Sequence, residues 1–78
     1  MQKFNIEYTD TFGGEANYSW VRRATIEVPD NASDLTLVRL AKKVIGLTGV
    51  KCKREQWGDD IVLRPYSSCT ICFITFKE

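Results

Sequence analysis

Two stretches of alternating character, residues 3–12 and residues 18–28, constrain this chain more than anything else in it, because their side chains agree on one hairpin register. When each pair of positions sums to thirty, Phe4 faces Ile26, Ile6 faces Ala24, Tyr8 faces Arg22 and Phe12 faces Tyr18 on one surface. On the other surface Lys3 meets Glu27 and Glu7 meets Arg23, so apolar groups coincide and opposite charges pair across the strands. A slip of one residue would turn each apolar set to the wrong face. The expected connection is the five residues Gly13, Gly14, Glu15, Ala16 and Asn17, where two glycines and an asparagine tolerate positive φ. Pro29 ends the second strand because it cannot donate to a ladder.

A helix follows. Ser33 or Asn31 is suited to cap it, Asp34 favours its positive end, and Lys42 and Lys43 suit its negative end. Leu37, Val38, Leu40, Ala41, Val44 and Ile45 share one broad side, while Arg39, Lys42 and Lys43 point away, the layout of a helix lying on a sheet. The helix is expected to run to about Leu47, with Gly46 inside it at a cost of about 1 kcal/mol and Gly49 as its left-handed terminator. The last third reads as strands over residues 50–57, 61–64 and 69–76, joined by turns at Gly58, Asp59 and Asp60 and at Pro65, Tyr66, Ser67 and Ser68. The final strand is apolar on both faces, with Cys69, Ile71 and Phe73 on one and Cys72, Ile74 and Phe76 on the other. Such a strand lies in the middle of a sheet or is covered on both sides, and its second face asks for cover. The expected fold is α+β, two-layer, one helix packed on a mostly antiparallel sheet in the order ββαβββ, as a single domain over residues 1–78.

A core of this size is modest, so help from a partner or a second subunit is worth expecting. Eleven basic against ten acidic residues leave a formal charge of +1, which supplies no global field for nucleic acid or an anionic membrane. The start of the chain lacks an apolar run of signal-peptide length, and no stretch approaches the roughly 18 apolar residues of a membrane helix, so a cytoplasmic location is expected. Three cysteines then read as free thiols. Cys69 and Cys72 have CxxC spacing and Cys52 adds a third thiol, but Thr70 and Ile71 between them favour extended backbone, which sends the two sulfurs to opposite faces. No metal, cofactor or redox role is expected from them. With no histidine, a serine or cysteine nucleophile lacks its usual base, Asp59 and Asp60 read as a turn, and Gly13 and Gly14 join strands without opening a phosphate-binding helix. The expectation is a non-enzymatic protein with no catalytic residues.

Surfaces are the better candidates. A helix of about fourteen residues spans roughly 21 Å, while strands of about ten residues run roughly 33 Å. The overhang would carry Phe12, Tyr18 and Trp20 with Arg22 at its root, opposite Tyr8, where a cation–π contact can form. Either the final strands bury this tip or it serves a protein partner or a second copy of the chain, through the residue types that dominate interface energetics. The alternative is a nucleic-acid surface on Arg23, Lys51, Lys53 and Arg54, with a further basic cluster at Arg39, Lys42 and Lys43.

The stretch from Tyr8 through Asp10, Phe12, Gly13, Gly14, Asn17, Tyr18 and Trp20 to Arg23, followed by Gly46, Leu47, Thr48 and Gly49 and by Trp57, Gly58 and Asp59, resembles small uncharacterised proteins encoded in bacterial phages and mobile elements. The resemblance covers nearly the whole chain and brings no assigned activity. What it implies is context, since short phage-borne proteins often bind a host protein or nucleic acid.

Overall fold

Alternation at period two makes the first two strands, and the computed structural model, which describes residues 1–77, pairs them as their side chains demand. The elements are β1 (Gln2–Phe12), β2 (Glu15–Val28), α1 (Asp34–Val44), β3 (Cys52–Trp57), β4 (Asp60–Pro65) and β5 (Thr70–Lys77). They form one antiparallel five-stranded sheet in the order β2-β1-β5-β4-β3 with α1 packed on it, the α+β arrangement ββαβββ. Phe4 pairs with Ile26, Ile6 with Ala24, Tyr8 with Arg22, Lys3 with Glu27 and Glu7 with Arg23, all in the expected register. Both charge pairs close, Lys3 to Glu27 at 3.8 Å and Arg23 to Glu7 at 3.1 Å.

The core lies between α1 and one face of the sheet. Leu37, Ala41 and Ile45 of the helix side meet Ile6, Ile26, Val28, Ile61, Leu63, Cys72 and Ile74. β5 occupies the centre of the sheet, one of the two placements that its two apolar faces allow.

Ser33 caps the helix, its Oγ accepting from the Thr36 amide at 3.2 Å. The C-terminus corrects the expectation of a helix reaching Leu47 and stopping at Gly49. It ends at Val44, and Gly46, at φ 79°, is the terminator. The Leu47 amide donates to the Lys42 carbonyl at 2.8 Å and the Gly46 amide to that of Lys43 at 3.4 Å, the paired bonds of a Schellman close. Burial decides between the two glycines: ending at Gly46 drops Leu47 into the core at 9% exposure. The Val50 amide is then spent on the Leu47 carbonyl at 3.0 Å, so β3 begins at Cys52 and not at Val50.

The face away from the helix is also covered, by a different device. Val62 and Ile71 on this face are 0% and 1% exposed. Val62 pairs with Phe73 of β5 and Glu55 of β3, and the Trp57 ring lies edge-on to Phe73 with centroids 6.0 Å apart. The Arg64 guanidinium stands 6.0 Å from the Trp57 ring, reaches Glu55 at 3.5 Å, and donates from Nη1 to the Gly14 carbonyl at 2.8 Å. Arg64 thus straps the tip of the first hairpin to β4. Of the two alternatives for the tip, burial by the final strands is not what forms: Phe12, Tyr18 and Trp20 stay 80%, 49% and 42% exposed.

Candidate functional site

The upper part of the first hairpin departs from the expected register, and a single carboxylate holds the departure together. Gly13 and Gly14, at φ 64° and 84°, make a two-residue turn that pairs Phe12 with Glu15, so Phe12 does not face Tyr18 and the five-residue connection is not formed. Pairing resumes at Thr11 with Ala16 and then jumps to Thr9 with Val21, leaving only Asp10 of β1 opposite residues 17–20 of β2. Such a bulge exposes backbone donors that the ladder would have used. Asp10 takes up one of them and adds two side-chain donors: its oxygens accept from the Ser19 backbone amide at 3.0 Å, the Asn17 side-chain amide at 3.0 Å and the Ser19 hydroxyl at 2.6 Å. Those donors, the Ser19 hydroxyl first and the Asn17 amide next, lower the Asp10 pKa to about 2. Fully buried Thr9 completes the clamp by donating its hydroxyl to the Trp20 carbonyl at 2.7 Å.

The clamp sends the two aromatic residues of β2 to opposite faces. Tyr18 adopts φ 56°, a conformation rare for a bulky residue, and its hydroxyl donates to Glu7 at 2.7 Å on the face away from the helix. That bond, with burial second, raises the Tyr18 pKa. Trp20 turns to the helix side, where its ring packs edge-on against Tyr8 with centroids 5.3 Å apart. The Tyr8 hydroxyl is in turn held by Thr70 at 3.0 Å. The aromatic partner of Tyr8 is therefore Trp20, in place of the expected cation–π contact with Arg22.

The expected single patch of Phe12, Tyr18, Trp20 and Arg22 is accordingly divided. Phe12 is 80% exposed at the turn, Tyr18 belongs to the back face, and only Trp20 and Arg22 remain together. These two join Tyr8 and the helix end, Ile45 and Leu47, around an open crevice of about 670 Å³. Trp20 keeps 42% of its surface exposed there, and Arg22 takes no carboxylate partner among the described residues. An apolar wall, an exposed indole and an unneutralised guanidinium are the groups that bind an apolar side chain next to an acidic one.

Arg23 is not brought together with Lys51, Lys53 and Arg54. Arg23 is on β2 and Lys53 and Arg54 are on β3, the two outer strands, with Lys51 just before β3. Four strand spacings separate those edges, roughly 19 Å. Arg23 is paired with Glu7, Lys53 with Glu55 at 3.6 Å and Arg54 with Asp34 at 3.0 Å. On the helix, Arg39, Lys42 and Lys43 border a shallow depression of about 440 Å³, and the Lys42 ammonium is committed to the Val50 carbonyl. Among the cysteines Cys69 is exposed, Cys52 half-buried and Cys72 buried, and all three are free thiols. Burial raises the Cys52 pKa and pushes Cys72 to about 12, with the neighbouring Cys52 adding to the latter. Among the described residues no three Cys, Asp or Glu side chains gather as a metal site, and no helix is long and apolar enough to cross a membrane.

What sequence reasoning missed is Asp10 as the organiser of the tip. The signal was present in the turn itself, since a two-residue glycine turn pairs Phe12 with Glu15 and conflicts with the register of the lower ladder by three residues. Compared with protein-family models, curated proteins and solved structures, the chain matches none of them.

Proposed function

We propose that this protein is a non-enzymatic interaction module that binds another protein through the crevice between Trp20, Arg22 and the end of α1. The observation that carries the reading is the coincidence of a half-exposed indole and a guanidinium with no carboxylate partner among the described residues at the mouth of an open crevice that Tyr8, Ile45 and Leu47 also line. The partner segment it suits presents an apolar side chain for the space between Trp20 and Leu47 and a carboxylate for Arg22. A host protein is among the partners that the resemblance to small phage and mobile-element proteins implies, and three unbridged thiols fit a reducing cytoplasm. A nucleic-acid role has less to support it, because Arg23 and the β3 cations are dispersed and neutralised.

The test is affinity purification from a native bacterial host with three baits: the wild-type chain, Trp20→Ala and Arg22→Glu. A folded state common to all three is checked by far-ultraviolet circular dichroism. The reading expects a protein retained by the wild type and lost on both variants. Equal retention on all three, or recovery of nucleic acid alone, would overturn it.

A further inference from the structure

The outer edge of β2 points to a second binding mode that does not depend on the Trp20 crevice. Over residues 21–28 this strand pairs one-to-one with β1 and carries no bulge, and Pro29 lies just beyond it. No strand of the sheet lies on its other side, so its outward backbone donors and acceptors form a template for strand addition. The opposite edge is defended differently, since β3 has only six residues and carries Lys53 and Arg54. Residues 21–28 of β2 also carry charges, Arg22, Arg23 and Glu27, but they offer an unbroken run of eight positions where β3 offers six.

We propose that the chain forms a two-fold symmetric dimer through this edge, with residues 21–28 antiparallel to the same segment of a second copy and the axis at Thr25. The side chains select this arrangement. A two-fold axis between identical antiparallel strands runs perpendicular to the sheet, so only residues of the same face oppose one another. With the axis at Thr25, Arg23 of each copy lies opposite Glu27 of the other, giving two cross-strand charge pairs. On the helix face the same register sets Ala24 against Ile26, small against large. Moving the axis to Ala24 or Ile26 leaves both charges without a partner across the junction. Moving it to Arg23 or Glu27 places like charges directly opposite, which is destabilising. The existing contacts leave both groups free to share: Arg23 uses its Nε on Glu7, and the Lys3 and Glu27 pair is loose at 3.8 Å with both side chains more than half exposed. The product is one continuous sheet of ten strands, with the two β2 strands at its centre.

The test uses complementary charge variants. Sedimentation equilibrium of the wild-type chain up to roughly 1 mM should show reversible dimerisation, and Arg23→Glu and Glu27→Arg should each weaken it by about tenfold or more by setting like charges across the junction. An equimolar mixture of the two variants should restore it, because every opposed pair is then of opposite sign, and this recovery also certifies that both variants are folded. Amides of residues 21–28 in the wild type should exchange more slowly with deuterium at high than at low protein concentration. A monomer throughout the range, a dimer indifferent to both variants, or a mixture that fails to recover would each overturn the proposal.

Discussion

Arg64→Ala is the most demanding perturbation of the fold, because one side chain spans from β4 to a hairpin tip fifty residues away in sequence. Its guanidinium donates to the Gly14 carbonyl at 2.8 Å and stands 6.0 Å from the Trp57 ring, with the side chain 28% exposed. A hydrogen bond from a charged donor contributes about 1.5 kcal/mol, and a partly exposed cation–π contact about 0.5 kcal/mol. Their loss should therefore cost about 2 kcal/mol, a large share of the roughly 4–12 kcal/mol expected for a chain of this length. In urea the midpoint should fall with little change in slope, and the thermal midpoint should drop by about 8–16 °C. Arg64→Lys keeps the charge and much of the stem but loses the fork that reaches Gly14, so it should recover less than half of the loss. Deuterium exchange should localise the effect, with the amides of Gly13 and Gly14 opening first while those of Ile6 and Ile74 stay protected. A loss under about 0.5 kcal/mol with an unchanged tip would refute the reasoning, since it would mean that Val62 and Ile71 are covered without the strap.

Three further outcomes are expected. Gly46→Ala places a Cβ at φ 79° and should cost about 1 kcal/mol by urea titration; an unchanged midpoint would mean that the helix does not end there. Asp10 has its folded pKa near 2, below the ordinary value of 3.8, so its contribution is fully present above pH 3.8 and lost as pH falls through about 2. In Asp10→Ala that part of the acid-denaturation curve should be missing, and superimposable pH profiles would contradict the clamp. Thiol labelling of the native protein should proceed at exposed Cys69 first and half-buried Cys52 more slowly, with Cys72 reacting only on unfolding; early modification of Cys72, seen by peptide mass mapping, would contradict its burial.

The lower hairpin was legible because alternation and charge pairing specify it redundantly. Phe4, Ile6, Ala24 and Ile26 need one shared face, and Lys3, Glu7, Arg23 and Glu27 pair only in the register that supplies it. The two apolar faces of β5 called for burial without fixing the strand order, and the face of α1 followed from the spacing of Leu37, Ala41 and Ile45. The tip was illegible to that method because hydrophobic periodicity carries no information about a side chain that satisfies backbone donors. Asp10, Asn17 and Ser19 look like ordinary polar strand positions until the tight glycine turn is taken literally and the extra residues must go somewhere. The choice of Gly46 over Gly49 depends on where Leu47 can be buried, and the strap from Arg64 to Gly14 depends on tertiary approach; neither is local. The crevice was half-read for the same reason: Trp20 and Arg22 were identified, but Ile45 and Leu47, which wall it, come from the helix end that the sequence placed differently.

The claim on which the rest depends is that the Asp10 clamp divides the aromatic tip, with Trp20 facing the helix and Tyr18 facing away. Nuclear Overhauser spectra of the labelled protein test it directly. The account predicts cross-strand contacts of Thr11 with Ala16 and of Thr9 with Val21, contacts between the Trp20 indole and the Tyr8 ring, and proximity of the Tyr18 ring to Glu7. Contacts of Phe12 with Tyr18 across an unbroken ladder, with Tyr18 and Trp20 on one face, would contradict it.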